Sequence, residues 1–170
     1  GGSNNCVKPD LSDLGIVGAR VPGYDPVQGG SGRRWQLEAC WPIHAATLVD
    51  GRLVSDTNRC DNCGRGVGKC PFHCNDEGAY GWKVYVGGRW GKKTAHGKML
   101  NRIFTDKAEV LDIVEKAILM FRAQGIPGER FADTIERIGF DKVQEQLLGN
   151  ELLERKAEIL GLTVVGGATC

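Results

Sequence analysis

Four cysteines, Cys60, Cys63, Cys70 and Cys74, fall within fifteen residues of this chain, and that clustering constrains its fold more than any other feature. They form two closely spaced pairs, Cys60-x2-Cys63 and Cys70-x3-Cys74, a spacing that lets tight turns bring thiolates around one inorganic centre. A four-thiolate set of this kind suits zinc, which accepts tetrahedral sulfur ligation. The plain alternative is a group of buried thiols that hold no metal.

The chain has seven cysteines in all and no apolar leader at its start. Those two features argue against an extracellular disulfide framework and for metal or redox chemistry in a reducing compartment, by default the cytoplasm. No apolar run approaches the roughly 20 residues a bilayer span needs, so the chain reads as soluble. A net charge of +1 over 170 residues gives no global case for nucleic-acid or membrane binding; any basic function must come from local clustering. Glycine is over-represented, 25 residues, with concentrations at Gly29-Gly30-Ser31-Gly32, Gly64 to Gly68 and Gly87-Gly88 that mark turns or close backbone approach.

Residues 1–21 carry a short apolar pattern, Leu11, Leu14, Ile16 and Val17, with no start signal before it. Pro22 to Arg34 reads as loop or linker. Two strand-like runs flank Asp50-Gly51 between Thr47 and Val54, which predicts a β-hairpin. Trp82, Val84 and Val86 alternate with Lys83 and Tyr85, a half-buried strand ending at Gly87-Gly88. After Thr105 the period becomes helical through Val110, Ile113, Val114, Ala117, Ile118 and Phe121. Asp106 and Glu109 supply a cap, and Gly125 and Pro127 end that helix. Further helices are expected around Phe131, Ile135 and Ile138, around Val143, Leu147 and Leu148, and from Leu152 to Leu160.

Cys60-Asp61-Asn62-Cys63 followed by Cys70-Pro71 resembles the bacterial ferredoxin run Cys-x2-Cys-x2-Cys-x3-Cys-Pro, with glycine in place of the third cysteine at position 66. Upstream, Gly29, Gly32 and Trp35 share the two-residue spacing, and Trp41-Pro42 has the character of Cys-Pro. Two-cluster wiring would draw on positions 29, 32, 35 and 70 for one centre and on 60, 63, 66 and 41 for the other. Neither set is complete, so neighbouring thiols such as Cys40 and Cys74 would have to step in. The same positions also read as an ordinary glycine-rich loop with two core tryptophans.

Two further segments carry a family resemblance. Gly2-Ser3-Asn4-Asn5-Cys6 followed by Gly15-Ile16-Val17-Gly18 resembles the Cys-Pro-Asn-x-Cys signature of nitrite and sulfite reductases, and Tyr85-Val86-Gly87-Gly88-Arg89 resembles the strand and turn that resume the reductase domain after a ferredoxin insert. The resemblance implies that Cys6, beside Asn4, bridges a 4Fe-4S cluster to sirohaem iron. The signature's first cysteine falls on Gly2, and the family's upstream Cys-x5-Cys would precede residue 1, so the chain is expected to be truncated and unable to close that cluster alone. Around the Gly-Gly turn stand Arg89, Lys92, Lys93, His96, Lys98 and Arg102. By the same resemblance Arg89, Lys92 and Lys93 would meet the sirohaem carboxylates; a solvated basic face, or a dock for an acidic electron donor, is the bland reading. Nucleic acid is disfavoured because only Trp90 interleaves with the basic residues. None of the three histidines is assigned to metal, and Trp82, Tyr85 and Trp90, which could pack on a macrocycle, are expected rather to anchor the core.

The fold expected is α+β: a sulfite-reductase-type half domain interrupted by a ferredoxin-like insert, with C-terminal helices packed on a sheet. The segments are 1–22, a half-domain fragment; 23–80, the insert; and 81–170, the remainder with its helices. The expected function is the iron–sulfur electron-transfer component of a sirohaem-dependent sulfite or nitrite reductase, impaired by its missing ligands and inactive alone. It would work with an upstream half domain or partner subunit and an electron-donor protein. Cys60, Cys63, Cys70, Cys74 and Cys40 are the expected metal ligands, for a 4Fe-4S cluster or, alternatively, for zinc in a small thiolate module without reductase activity.

Overall fold

The computed structural model describes residues 8–22, 60, 62–64, 67, 68 and 78–162, and the backbone of 46–49 and 52–55. They fall into two units, one drawn from residues 18–82 and the other from residues 6–17 together with 83–170.

A 3-10 turn at Pro9–Leu11 leads into strand β1, Leu14–Pro22. The hairpin strands β2, Ala46–Val49, and β3, Arg52–Ser55, pair antiparallel with Val49 opposite Arg52, so the connection holds two residues, as Asp50-Gly51 predicts. Strand β4 runs Gly78–Val86 and β5 runs Lys98–Phe104. The order β1-β4-β5 places β4 at the centre of a three-stranded sheet. This is the mixed α+β architecture expected, with a small antiparallel sheet and helices following it.

Strand β4 starts four residues before the alternating run that marks it in the sequence. Its Val84 and Val86 are buried as the alternation requires, but Lys83, which alternates with them in the sequence pattern, is buried too. Strand β5 carries only Leu100 and Phe104 as fully buried residues, with Asn101 and Arg102 exposed between them, so its period of two was masked by charge. Strand β1 was hidden by Gly15. A Cβ there would stand 2.2 Å from the Pro9 carbonyl oxygen, so only glycine lets the 3-10 turn fold back over the strand. Trp90 departs from expectation: it is 69% exposed and anchors no core, because it lies in the turn beyond the strand end, whereas Trp82 and Tyr85 are half-buried.

Helix α1, Lys107–Gln124, begins where Asp106 accepts a hydrogen bond from Ala108 N at 3.0 Å and ends at Gly125. Glu109 does not complete the cap; Arg102 of β5 holds it at 2.6 Å. Four shorter helices follow: α2 Phe131–Ile138, α3 Phe140–Leu148, α4 Glu151–Glu154 and α5 Lys156–Gly161. The single last helix expected over Leu152 to Leu160 is divided at Arg155, whose φ of −88° and ψ of 8° lie outside the helical region.

Helix α1 touches all four shorter helices and β5, so its buried stripe organises the core. Val110, Ile113, Ala117 and Met120 share that stripe, and Leu100, Phe104, Val143, Leu147, Leu152 and Ile159 are buried in the same unit. Full burial of each large side chain contributes about 1.5–3 kcal/mol against its exposed state. Lys116 is buried within this unit, and its ammonium donates to Asn150 Oδ1 at 3.2 Å, which offsets part of its desolvation. Arg122 donates to the carbonyls of Ile159, Leu160 and Leu162, meeting the unpaired acceptors at the end of α5.

Candidate functional site

Within residues 18–82, strand β1 and strand β4 support the loop that carries Cys60 and Cys63. Asn62, between the two cysteines, has φ of +55°, and Gly64 has φ of +76°. Asparagine and glycine are the residue types that reach this left-handed region at least cost. Arg20 N donates to Asn62 O at 2.9 Å, tying the peptide between the cysteines to β1, and Val67 N closes a turn onto Gly64 O at 3.1 Å. A Cβ on Gly64 would meet Arg20 Cγ at 2.7 Å, so the loop lies directly on the arginine stem.

The Arg20 side chain is itself fixed. Nη1 donates to Gly78 O at 2.8 Å, Nη2 donates to the Tyr80 hydroxyl, and the guanidinium lies 3.5 Å from the Tyr80 ring centroid. A stacked, forked arginine of this kind is a rigid prop, since its planar donors leave little rotamer freedom.

Cys60 and Cys63 are both half-buried and neither forms a disulfide. Two thiols in a left-handed turn fit part of the donor set of an iron–sulfur cluster or a structural zinc. Among the described residues no group of three or more histidine, cysteine, aspartate or glutamate side chains lies close enough to hold a metal ion. Two thiols alone do not complete such a centre. Asn4, Cys6, Cys40, Cys70 and Cys74 lie outside the described residues, as do Gly66, His44 and His73.

The second unit holds the basic cluster. The turn between β4 and β5 closes through an antiparallel bridge in which Arg89 and Ala95 exchange backbone hydrogen bonds at 2.9 and 3.0 Å. It is seated against residues 10–12: a Cβ on Gly88 would stand 2.3 Å from Asp10 O and 2.5 Å from Ser12 O, and Gly97 N donates to Asp10 O at 2.6 Å. Gly87, with φ of +82°, faces Ile135. The paired glycines thus let the turn approach its own unit's backbone.

Beside this turn lies a cleft of about 530 Å3 lined by Arg89, Lys93, His96 and Lys98 and also by Asp133 and Glu136. Arg89 Nη1 spans both carboxylate oxygens of Asp133 at 2.8 and 2.9 Å, so much of its charge is answered within the protein. His96 Nδ1 lies 2.7 Å from Asp10 Oδ2, and Lys98 stands over the Phe140 ring at 5.3 Å. Lys93 lines the cleft and is exposed; Lys92 is exposed and does not line it. The cleft is therefore a mixed surface in which Lys93 and Lys98 are the cations best placed to meet carboxylates.

In the same unit, Glu129 gathers the entry to α2. It accepts from Arg137 Nε and Nη2, both at 2.9 Å, from Thr134 Oγ1 at 2.9 Å and from Ile126 N at 3.3 Å. The Arg137 hydrogen bonds foremost, with help from Thr134 and Ile126, hold its carboxyl at about 2, well below the ordinary 4.5, against a smaller desolvation effect in the other direction.

Sequence reasoning singled out Cys60, Cys63 and the basic turn. It missed Arg20, Asn62, Gly64 and Tyr80 as a group, because Arg20 and Gly78 stand 58 positions apart and nothing local to either announces the contact. The acidic lining of the cleft, Asp133 and Glu136, was missed for the same reason.

Comparison with known proteins places these features in context. A family model described as the nitrite and sulphite reductase 4Fe-4S domain matches residues 1–156. The chain is 27% identical over 156 residues to the coenzyme F420-dependent sulfite reductase of Methanocaldococcus jannaschii, an alignment covering 90% of this chain and 24% of that protein. Its fold is similar to the crystal structure of dissimilatory sulfite reductase I, with a TM-score of 0.54 and 19% identity over 85% of this chain and 40% of that one. The chain spans less than half the length of either relative.

Proposed function

This chain belongs to the nitrite and sulphite reductase 4Fe-4S domain family, and from that premise we propose that it is an electron-relay segment of a sirohaem-dependent sulfite or nitrite reductase. It is a reductase-related iron–sulfur domain. The observation that carries the reading is the Cys60–Cys63 loop, bent through two left-handed residues and tied to β1 by the Asn62 carbonyl. Such a turn exposes amides and thiols together, the arrangement that iron–sulfur and other thiolate centres use.

In this reading residues 23–80 are the ferredoxin-like insert and Cys60, Cys63, Cys70, Cys74 and Cys40 supply its thiolates. Cys6, beside Asn4, is the ligand shared with sirohaem. Of Arg89, Lys92 and Lys93, the residues the family resemblance sets against the macrocycle's carboxylates, Lys93 lines the cleft with its charge unpaired among the described residues, Arg89 is shared with Asp133, and Lys92 lies exposed outside the cleft. When bound, the cluster supplies one-electron transfer between a donor protein and the site of sulfite or nitrite reduction. The chain's own contribution is to hold the thiolates, shape their hydrogen bonding and limit water around them. Partner subunits complete the enzyme, and the thiol usage suits a reducing compartment such as the cytoplasm. No described helix is long and apolar enough to cross a membrane.

Anaerobic reconstitution with iron, sulfide and sirohaem, followed by visible spectroscopy and metal analysis, tests the proposal. A broad cluster absorption lost in Cys60→Ser and Cys63→Ser is the result expected. Sirohaem bands besides would extend it to Cys6 and the basic turn. Stoichiometric zinc with no iron uptake would replace it by the zinc-thiolate alternative.

A further inference from the structure

We infer that Arg20 is the positioning residue for the Cys60–Cys63 thiol pair, an inference that rests on the reading of that pair as metal ligands. Three independent contacts meet on this one side chain and its backbone. The backbone N–H of Arg20 takes the carbonyl of Asn62, the residue between the cysteines. Its aliphatic stem fills the space a Gly64 side chain would need, with Cγ only 2.7 Å from the position of that Cβ. Its guanidinium is then locked from the far side by Gly78 O and by the ring and hydroxyl of Tyr80.

The consequence is a chain of support from β4 through Arg20 to the turn that presents the thiols. Asn62 and Gly64 both hold positive φ, conformations that cost free energy for asparagine and persist only where the surroundings determine them. The hydrogen bond to Asn62 O and the stem beneath Gly64 are those surroundings. With the stem removed, the turn regains freedom, and the two sulfurs must be ordered by the metal itself. Partners that orient metal ligands in this way typically change metal affinity by about 10–100-fold when mutated. Lysine does not substitute, because an ammonium neither stacks flat on Tyr80 nor forks to Gly78 O. Gly64 should be coupled to Arg20 for the same reason: the stem and the missing side chain compete for one volume.

The test is titration of the full chain with Co2+ under anaerobic, reducing conditions, read by the thiolate-to-cobalt charge-transfer and tetrahedral ligand-field bands. The comparison runs over wild type, Arg20→Ala, Arg20→Lys and Gly64→Ala, with far-ultraviolet circular dichroism of the metal-free proteins alongside. The inference expects wild type to develop the bands, and both arginine variants to bind about 10–100-fold more weakly while their metal-free spectra match wild type. Gly64→Ala should weaken binding as well, and by less once Arg20 is already alanine. Wild-type affinity in a folded Arg20→Ala overturns the positioning role and leaves the metal-binding reading standing. Should Arg20→Ala not fold, wild-type affinity in Arg20→Lys does the same. Absence of the bands in wild type overturns both readings together.

Discussion

Gly88 shows how much a single residue decides here. Its missing side chain is what lets the β4–β5 turn rest on the carbonyls of Asp10 and Ser12, and alanine would place Cβ at 2.3 and 2.5 Å from those oxygens. Backbone atoms cannot yield as a flexible side chain does, so Gly88→Ala should cost about 3 kcal/mol or more in urea denaturation. A loss under about 1 kcal/mol would mean the turn is free to move away. Glu129 sets a pH dependence. Its carboxyl titrates at about 2 in the folded protein against an ordinary 4.5, chiefly through Arg137. The unfolded chain therefore takes up the proton first as pH falls, and the stability Glu129 contributes is complete above the ordinary value and lost progressively toward the folded one. Denaturation midpoints measured at pH 7 and pH 3 should differ less in Glu129→Gln than in wild type; an equal difference would mean Arg137 does not hold the carboxylate in solution.

Helix α1 governs stability at the scale of elements. It contacts the four shorter helices described in its unit and β5, and Met120 lies fully buried on its inner stripe. Met120→Ala leaves a cavity in this core, for an expected loss of about 2–5 kcal/mol. Asp106→Ala removes only the bond to Ala108 N at the start of the same helix and should cost about 1 kcal/mol. Thermal melts of both variants check the order; a capping loss as large as the cavity loss would move the organising role from the stripe to the helix end. Helix α1 was readable because its period of 3.6 survives in Val110, Ile113 and Ala117, although Ile118 and Phe121 of the same pattern are exposed and Met120, outside it, is buried; the β2–β3 hairpin was readable because Asp50-Gly51 spaces its strands. Strands β1 and β5 were not readable, one interrupted by a glycine that a neighbouring turn requires and the other carrying exposed polar residues between its two buried ones.

For the whole molecule, the division of cysteines matters most. Five of the seven, Cys40, Cys60, Cys63, Cys70 and Cys74, fall in residues 18–82, and none occurs between residues 75 and 169. Removing a metal bound at Cys60 and Cys63 should therefore leave hydrogen exchange in α1, α2 and α3 unchanged while raising it in β2, β3 and around the two cysteines. Equal loosening of the helices would show that the metal organises both units. Gly66→Cys is the companion experiment. It restores the third thiolate of the ferredoxin-type run and should raise iron retained per chain after desalting; no gain would mean that Cys60 and Cys63 belong to another ligand register.

By itself the sequence determined what is local: the helical period after Thr105, the two-residue hairpin, the Gly87-Gly88 turn and the cysteine spacing that points to thiolate chemistry. Each depends on residues close enough along the chain for their pattern to survive any tertiary context. Only the tertiary structure decided that Arg20 and Tyr80 prop the cysteine turn, that Asp133 occupies Arg89, and that Asp10 backs the Gly-Gly turn. Those contacts join residues tens of positions apart, and their energy comes from close packing and paired charges that exist only after the chain has brought them together.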